Sequence, residues 1–208
     1  MYNKHQFGYK YINNTSEWEG EKVKYLEGVA ALIIRLYFGW LFLSSGIGKW
    51  QTGFGGDAVT GFLKGALGKT SAGLLAAKGP KAALHPDVTD TWAWVITNVF
   101  LPYAEIFAFL IKLGEVAIGL GLILGLFTHL AAGLGITMNF VFLLSGTASI
   151  TGPMILAFLA LFWLGPESYL FGIDRFFMDR LVINHPKLKS EVIHTFFPAY
   201  SYKRLPKE

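Results

Sequence analysis

Glu105, Lys112 and Glu115 sit inside an almost wholly apolar stretch spanning residues 104–150. Charge in such a run is costly in lipid and persists when it faces protein or an internal cavity. Along a helix these three residues fall on one side, because positions three, four and seven apart are stacked. Lys49 ends an earlier apolar run, and Arg35 interrupts it. Estimated depth pairs these residues in two ways. Arg35 with Glu115 makes a buried structural ion pair. Lys49, Glu105 and Lys112 make a polar pocket near the other end, edged by Trp50 and Trp94, with Lys49 and Glu105 paired across it. In that pocket Glu105 and Lys112 are the candidate catalytic residues, and Lys49, Trp50 and Trp94 the binding ones. The lysines supply positive potential to a small anion or a reduced quinone oxygen. Glu105 can move a proton, since burial raises a carboxyl pKa and a nearby lysine opposes the rise. Ser44, Ser45 and Asn139 extend the polar interior. A closed ion cluster that only fixes helix register accounts for the same residues.

The elements that must hold these groups are membrane helices. The chain has 208 residues, 53% hydrophobic and only 15% charged, which is a membrane composition. Residues 1–27 are polar, with lysines and glutamates in balance. The membrane domain spans 28–174. Its first run, 28–47, has the length of a hydrocarbon core. Span two covers about 104–127, span three 130–144 and span four 153–164, where Gly165-Pro166 ends or kinks it. Residues 50–103 form a long outer loop. Within it 58–67 makes a short helix, and 91–101 an interfacial or re-entrant helix stopped by Pro102. The expected fold class is thus an all-α integral membrane protein, a four-transmembrane-helix bundle. Gly114, Gly119, Gly121, Gly125, Gly133 and Gly135 let its helices approach closely.

An even number of spans puts both termini on one side. The basic tail, 175–208, places that side in the cytoplasm by the positive-inside rule. The protein is therefore expected in the plasma membrane of a prokaryote, multi-pass, with both termini cytoplasmic and His129 facing that side. Membrane lipids are its implied partners, with a second subunit or a homo-oligomer beside them. The absence of cysteine excludes disulfides, thiolate chemistry and cysteine-bound iron–sulfur clusters. No histidine pair lies at facing depths, so no haem is expected. Nor is a metal or a nucleic-acid partner: the net charge is only +4, gathered mostly in the tail.

Several short motifs are shared with a known family. Arg35-Leu36, Gly39-Trp40-Leu41-Phe42, Gly46 and Lys49-Trp50 resemble the first helix of the DoxX superfamily. Glu115 and the run from Gly119 to Ala132 resemble its second and third helices, although His129 stands where arginine is usual. Leu164-Gly165-Pro166-Glu167-Ser168-Tyr169 with Asp174 resembles the closing motif. The outer loop, with Gly61 to Ala66 and His85-Pro86, is most similar to the DoxD-type branch, the membrane subunit of thiosulfate:quinone oxidoreductase. That resemblance implies a quinone as electron acceptor and a partner subunit. Two other functions fit the same pattern: a non-catalytic scaffold or assembly subunit, and a small-solute transporter.

Overall fold

The computed structural model describes residues 15–148, 151–165, 168 and 171–174. The first polar residues, part of the closing motif and the basic tail 175–208 lie outside these. The described chain is helical, with no strand among its residues. Four helices make a bundle: α1 (Thr15–Gln51), α6 (Ala104–Leu124), α7 (Thr128–Leu144) and α8 (Thr151–Leu164). Helix α1 packs on α6, α6 on α7, α7 on α8, and α8 back on α1. Two stretches, Lys22–Gln51 and Asp90–Leu124, are long and apolar enough to cross a membrane, while α7 and α8 are shorter apolar helices.

Helix α1 starts well before its apolar run. No proline or turn signal separates the polar lead from Gly28, so part of the expected N-terminal segment is continuous with the first apolar helix. Its contact with α6 is set by glycine. A Cβ on Gly119 would meet the backbone of Leu43, and one on Gly46 the backbone of Val116. The two backbones therefore touch, as small residues allow. Gly135 does the same for α7, where a Cβ would strike the Phe158 ring of α8. Around these contacts Ala31, Phe42, Ile118, Leu122, Ala132 and Phe158 form the main apolar core.

The expected outer loop is a folded cap of short helices: α2 (Gly56–Leu67), α3 (Ser71–Lys78), α4 (Pro80–Ala83) and α5 (Asp90–Val95). Helix α2 is amphipathic, and Val59, Leu63 and Ala66 bury one stripe with the spacing of a helix face. Thr70 and Thr89 cap α3 and α5, accepting from the Gly73 and Trp92 N–H groups at 3.1 and 3.3 Å. After α5 the chain widens into a π-helical turn (Ile96–Phe100), tightens at Leu101–Tyr103 and enters α6. Pro102 thus alters the helix type without ending the run, since the wide turn accommodates its missing N–H. The cap is fastened to the end of α7. Lys69 Nζ donates to the Gly146 carbonyl at 2.6 Å, and Trp92 Nε1 donates to Ser145 Oγ at 3.1 Å.

Candidate functional site

Glu115 pairs with Lys49. The Lys49 ammonium lies 2.7 Å from both carboxylate oxygens and 2.7 Å from Ser45 Oγ. Arg35 and Glu115, expected to pair, do not. The glycine contacts set Gly46 opposite Glu115 and Val116, and Gly39 opposite Gly119 and Leu122. In that register Arg35 and Glu115 lie about ten residues apart along the bundle, roughly 15 Å. Side-chain direction adds to the separation. Helical side chains lean toward their own N-terminus. In antiparallel α1 and α6, Lys49 and Glu115 therefore lean toward each other, while Arg35 and Glu115 lean apart.

The same rule undoes the expected Lys49–Glu105 pair. Glu105 is exposed on the first turn of α6, and its carboxylate lies against Gly55 and Gly56 at the start of α2. Space for it exists because Gly56 has no Cβ; one would sit 2.7 Å from the Glu105 carboxyl carbon. Lys112 turns to Trp50, with Nζ 4.6 Å from the ring centroid, and Trp50 meets Phe109 edge-on at 6.1 Å. Trp94 is 63% exposed, and Trp92 is the cap tryptophan that packs inward, against Phe100. Lys49, Glu105, Lys112 with Trp50, and Trp94 thus lie in four separate places rather than in one pocket. Of the expected polar interior, Asn139 is buried, donating to the Gly135 carbonyl at 2.8 Å, while Ser44 and Ser45 are exposed.

Arg35 belongs to a second polar node, at the opposite end of α6. It is fully buried, and Nε donates to Leu122 O at 3.0 Å, Nη1 to Ser168 O at 2.9 Å and Nη2 to Phe171 O at 3.3 Å. Gly125 ends α6 in the left-handed region at φ 64°, and a Cβ there would overlap the guanidinium. Phe127 also takes a positive φ, 50°. That strained turn is held by Asp174, whose carboxylate accepts from the Phe127 and Thr128 N–H groups at 2.6 and 2.9 Å. Asp174 thereby caps α7, where a carboxylate suits the helix dipole. His129 is buried and not open to either face, with Nε2 3.2 Å from the Leu161 carbonyl. Sequence reasoning missed the Arg35 partners because backbone carbonyls carry no residue signature; Asp174 itself was visible in the closing motif.

Between the ion pair and the cap lies a cleft of about 640 Å³. Helix α6 contributes Phe107, Ile111, Gly114 and Ile118 to it, and α7 contributes Leu134, Met138 and Val141. The cap closes it from above with Val59, Phe62 and Leu63, and Phe62 reaches Phe142 of α7 edge-on at 5.6 Å. Lys49 is the one charged residue on its wall, and Thr137 the one hydroxyl, already donating to Gly133 O at 3.0 Å. The size and apolar lining match sites for small organic ligands.

The family model described as DoxX matches residues 30–148. The chain belongs to the DoxX family. No curated protein and no solved structure matches it. The DoxX match covers α1 from residue 30 onward, the cap, α6 and α7, and so contains the Lys49–Glu115 pair and all of the cleft. The second node is only partly inside it, because Ser168, Phe171 and Asp174 lie beyond the matched residues. Family and apolar helices together make this a membrane protein.

Proposed function

We propose that this DoxX-family protein is the membrane subunit of a quinone-linked oxidoreductase, related to the DoxD-type branch, with the cleft as the quinone site. The observation that carries the reading is the cleft itself: apolar, near 640 Å³, rich in phenylalanine, with one ammonium on its wall. A quinone ring stacks on aromatic faces, and its carbonyl accepts from Lys49. In the complete reaction the quinone takes up two electrons and two protons. Two thiosulfate ions supply the electrons by joining through a new S–S bond to give tetrathionate. The chain has no cysteine, so sulfur is not carried on a side-chain thiol. The test is anaerobic reduction of a quinone analogue by the purified protein, with thiosulfate added or omitted. Thiosulfate-dependent quinol formation supports the reading; none, with and without a co-purifying subunit, refutes it.

The reading takes four passes through a prokaryotic plasma membrane with cytoplasmic termini. Labelling of cysteines introduced at Lys69 and Lys203 then marks opposite faces, and labelling from one face overturns the topology. One observation favours a scaffold instead. Trp163 on α8 is 91% exposed, alongside Leu156 and Leu159, an apolar face suited to another chain as well as to lipid. A scaffold leaves quinone turnover unchanged when the cleft is blocked, for example by Gly114→Phe.

A further inference from the structure

Lys49 is already neutralised where it meets the cleft. Glu115 holds it through both carboxylate oxygens, Ser45 takes a further bond, and the Glu115 side chain is 7% exposed. Seen from the cleft, the wall presents an ammonium whose charge Glu115 balances and whose N–H groups are all engaged. The rest of the lining is aliphatic or aromatic, apart from a glycine and the occupied Thr137 hydroxyl. An anion entering would lose its water and find no unbalanced positive charge, which is unfavourable in a low-dielectric site. A neutral ligand with a carbonyl oxygen loses little water. It can take the N–H that Lys49 now gives to Ser45, on the exposed side of α1. We infer that the Lys49–Glu115 pair makes the cleft selective for a neutral, carbonyl-bearing aromatic ligand and closes it to anions. This inference rests on the quinone reading of the cleft. It also restricts the chemistry: a sulfur oxyanion does not bind inside the cleft beside the quinone.

The selectivity can be read with two probes of one ring system, menadione, which is neutral, and 1,4-naphthoquinone-2-sulfonate, which is anionic. Binding of each to the full-length protein in detergent is measured by titration calorimetry, with empty micelles subtracted, and thiosulfate is tried as a competitor of menadione. The wild-type protein should favour menadione by on the order of tenfold or more, and thiosulfate should not displace it. Glu115→Gln uncovers the Lys49 charge and should move the ratio toward the sulfonate by about tenfold. If that variant does not fold, Lys49→Met serves: menadione should weaken with no gain for the sulfonate. Equal binding of both probes by the wild type, displacement by thiosulfate, or an unshifted ratio in folded Glu115→Gln overturns the selectivity while leaving the quinone reading in place. Unchanged menadione affinity in Lys49→Met removes the ligand head from Lys49 and overturns it too. Failure of the wild type to bind either probe overturns both.

Discussion

Gly125→Ala tests the Arg35 node. Gly125 has a φ of 64°, and its missing Cβ leaves the space that the Arg35 guanidinium occupies. Alanine in the left-handed region costs about 1–2 kcal/mol. The methyl group also displaces the guanidinium, so at least one of its three bonds to Leu122, Ser168 and Phe171 carbonyls breaks. A hydrogen bond from a charged donor contributes about 1.5–3 kcal/mol. The sum is roughly 2.5–5 kcal/mol. Gly53→Ala is the control, because Gly53 has a φ of 69° and nothing within 4 Å of its Cβ position. It should cost only the backbone part, about 1–2 kcal/mol. Thermal unfolding in detergent, followed by intrinsic fluorescence, compares them. At about 2–4 °C per kcal/mol, Gly125→Ala should melt roughly 3–12 °C below Gly53→Ala. In an Arg35→Met background the extra loss should vanish, since the colliding group is gone. Equal melting of the two alanine variants, or an extra loss that persists without Arg35, refutes the argument.

Other positions give simpler outcomes. Gly119→Leu places a side chain where only Leu43 backbone has room, so α1 and α6 should separate and monodisperse protein should be lost on size-exclusion chromatography. Glu115→Gln should lower stability by about 2 kcal/mol, less than a fully enclosed pair because the Lys49 side chain is 24% exposed, and a denaturation titration measures it. Ser145→Ala removes the acceptor for Trp92 Nε1 and should loosen the cap. Faster amide exchange in α2 and α5, with α6 unchanged, is the expected signature.

The bundle helices were legible in the sequence, and so was the burial of polar groups at Arg35, Glu115 and Asn139. Apolar runs marked α6, α7 and α8, and the stretches rich in glycine marked the contacts at Gly119 and Gly135. The pairing of charges was not legible. Depth counted from the ends of apolar runs set Arg35 near Glu115, but helix register is fixed by glycine contacts between two helices, which neither helix reveals alone. The cap hid for another reason. Its helices at 58–67 and 91–101 were legible, but α3 and α4, short and bounded by Gly68, Gly79 and Pro86, read as loop, and nothing local shows that Val59, Leu63, Val88 and Ile96 gather into their own core. Trp94 read as the tryptophan at the pocket edge; position on the helix instead turns Trp92 inward to Ser145 and leaves Trp94 outside.

The Arg35 node also orders events during synthesis. Arg35 reaches carbonyls at Ser168 and Phe171, which follow it by 133 and 136 residues. A ribosome adding about 5–20 residues per second needs roughly 7–27 s to make that interval. Through this time the first helix carries a cation that lacks two of its three final acceptors. An arginine near the middle of a lone helix costs about 2.5–3.5 kcal/mol to insert. The nascent helix is therefore stable at a shallow or tilted position, with the guanidinium reaching the interface, and settles when the segment after α8 arrives. The turn before α7 waits for the same segment, because Asp174 supplies its cap. Synthesis of residues 168–174 and closure of the bundle become one event, and a chain cut short before Ser168 presents an unsealed Arg35 to the machinery that removes misassembled membrane proteins.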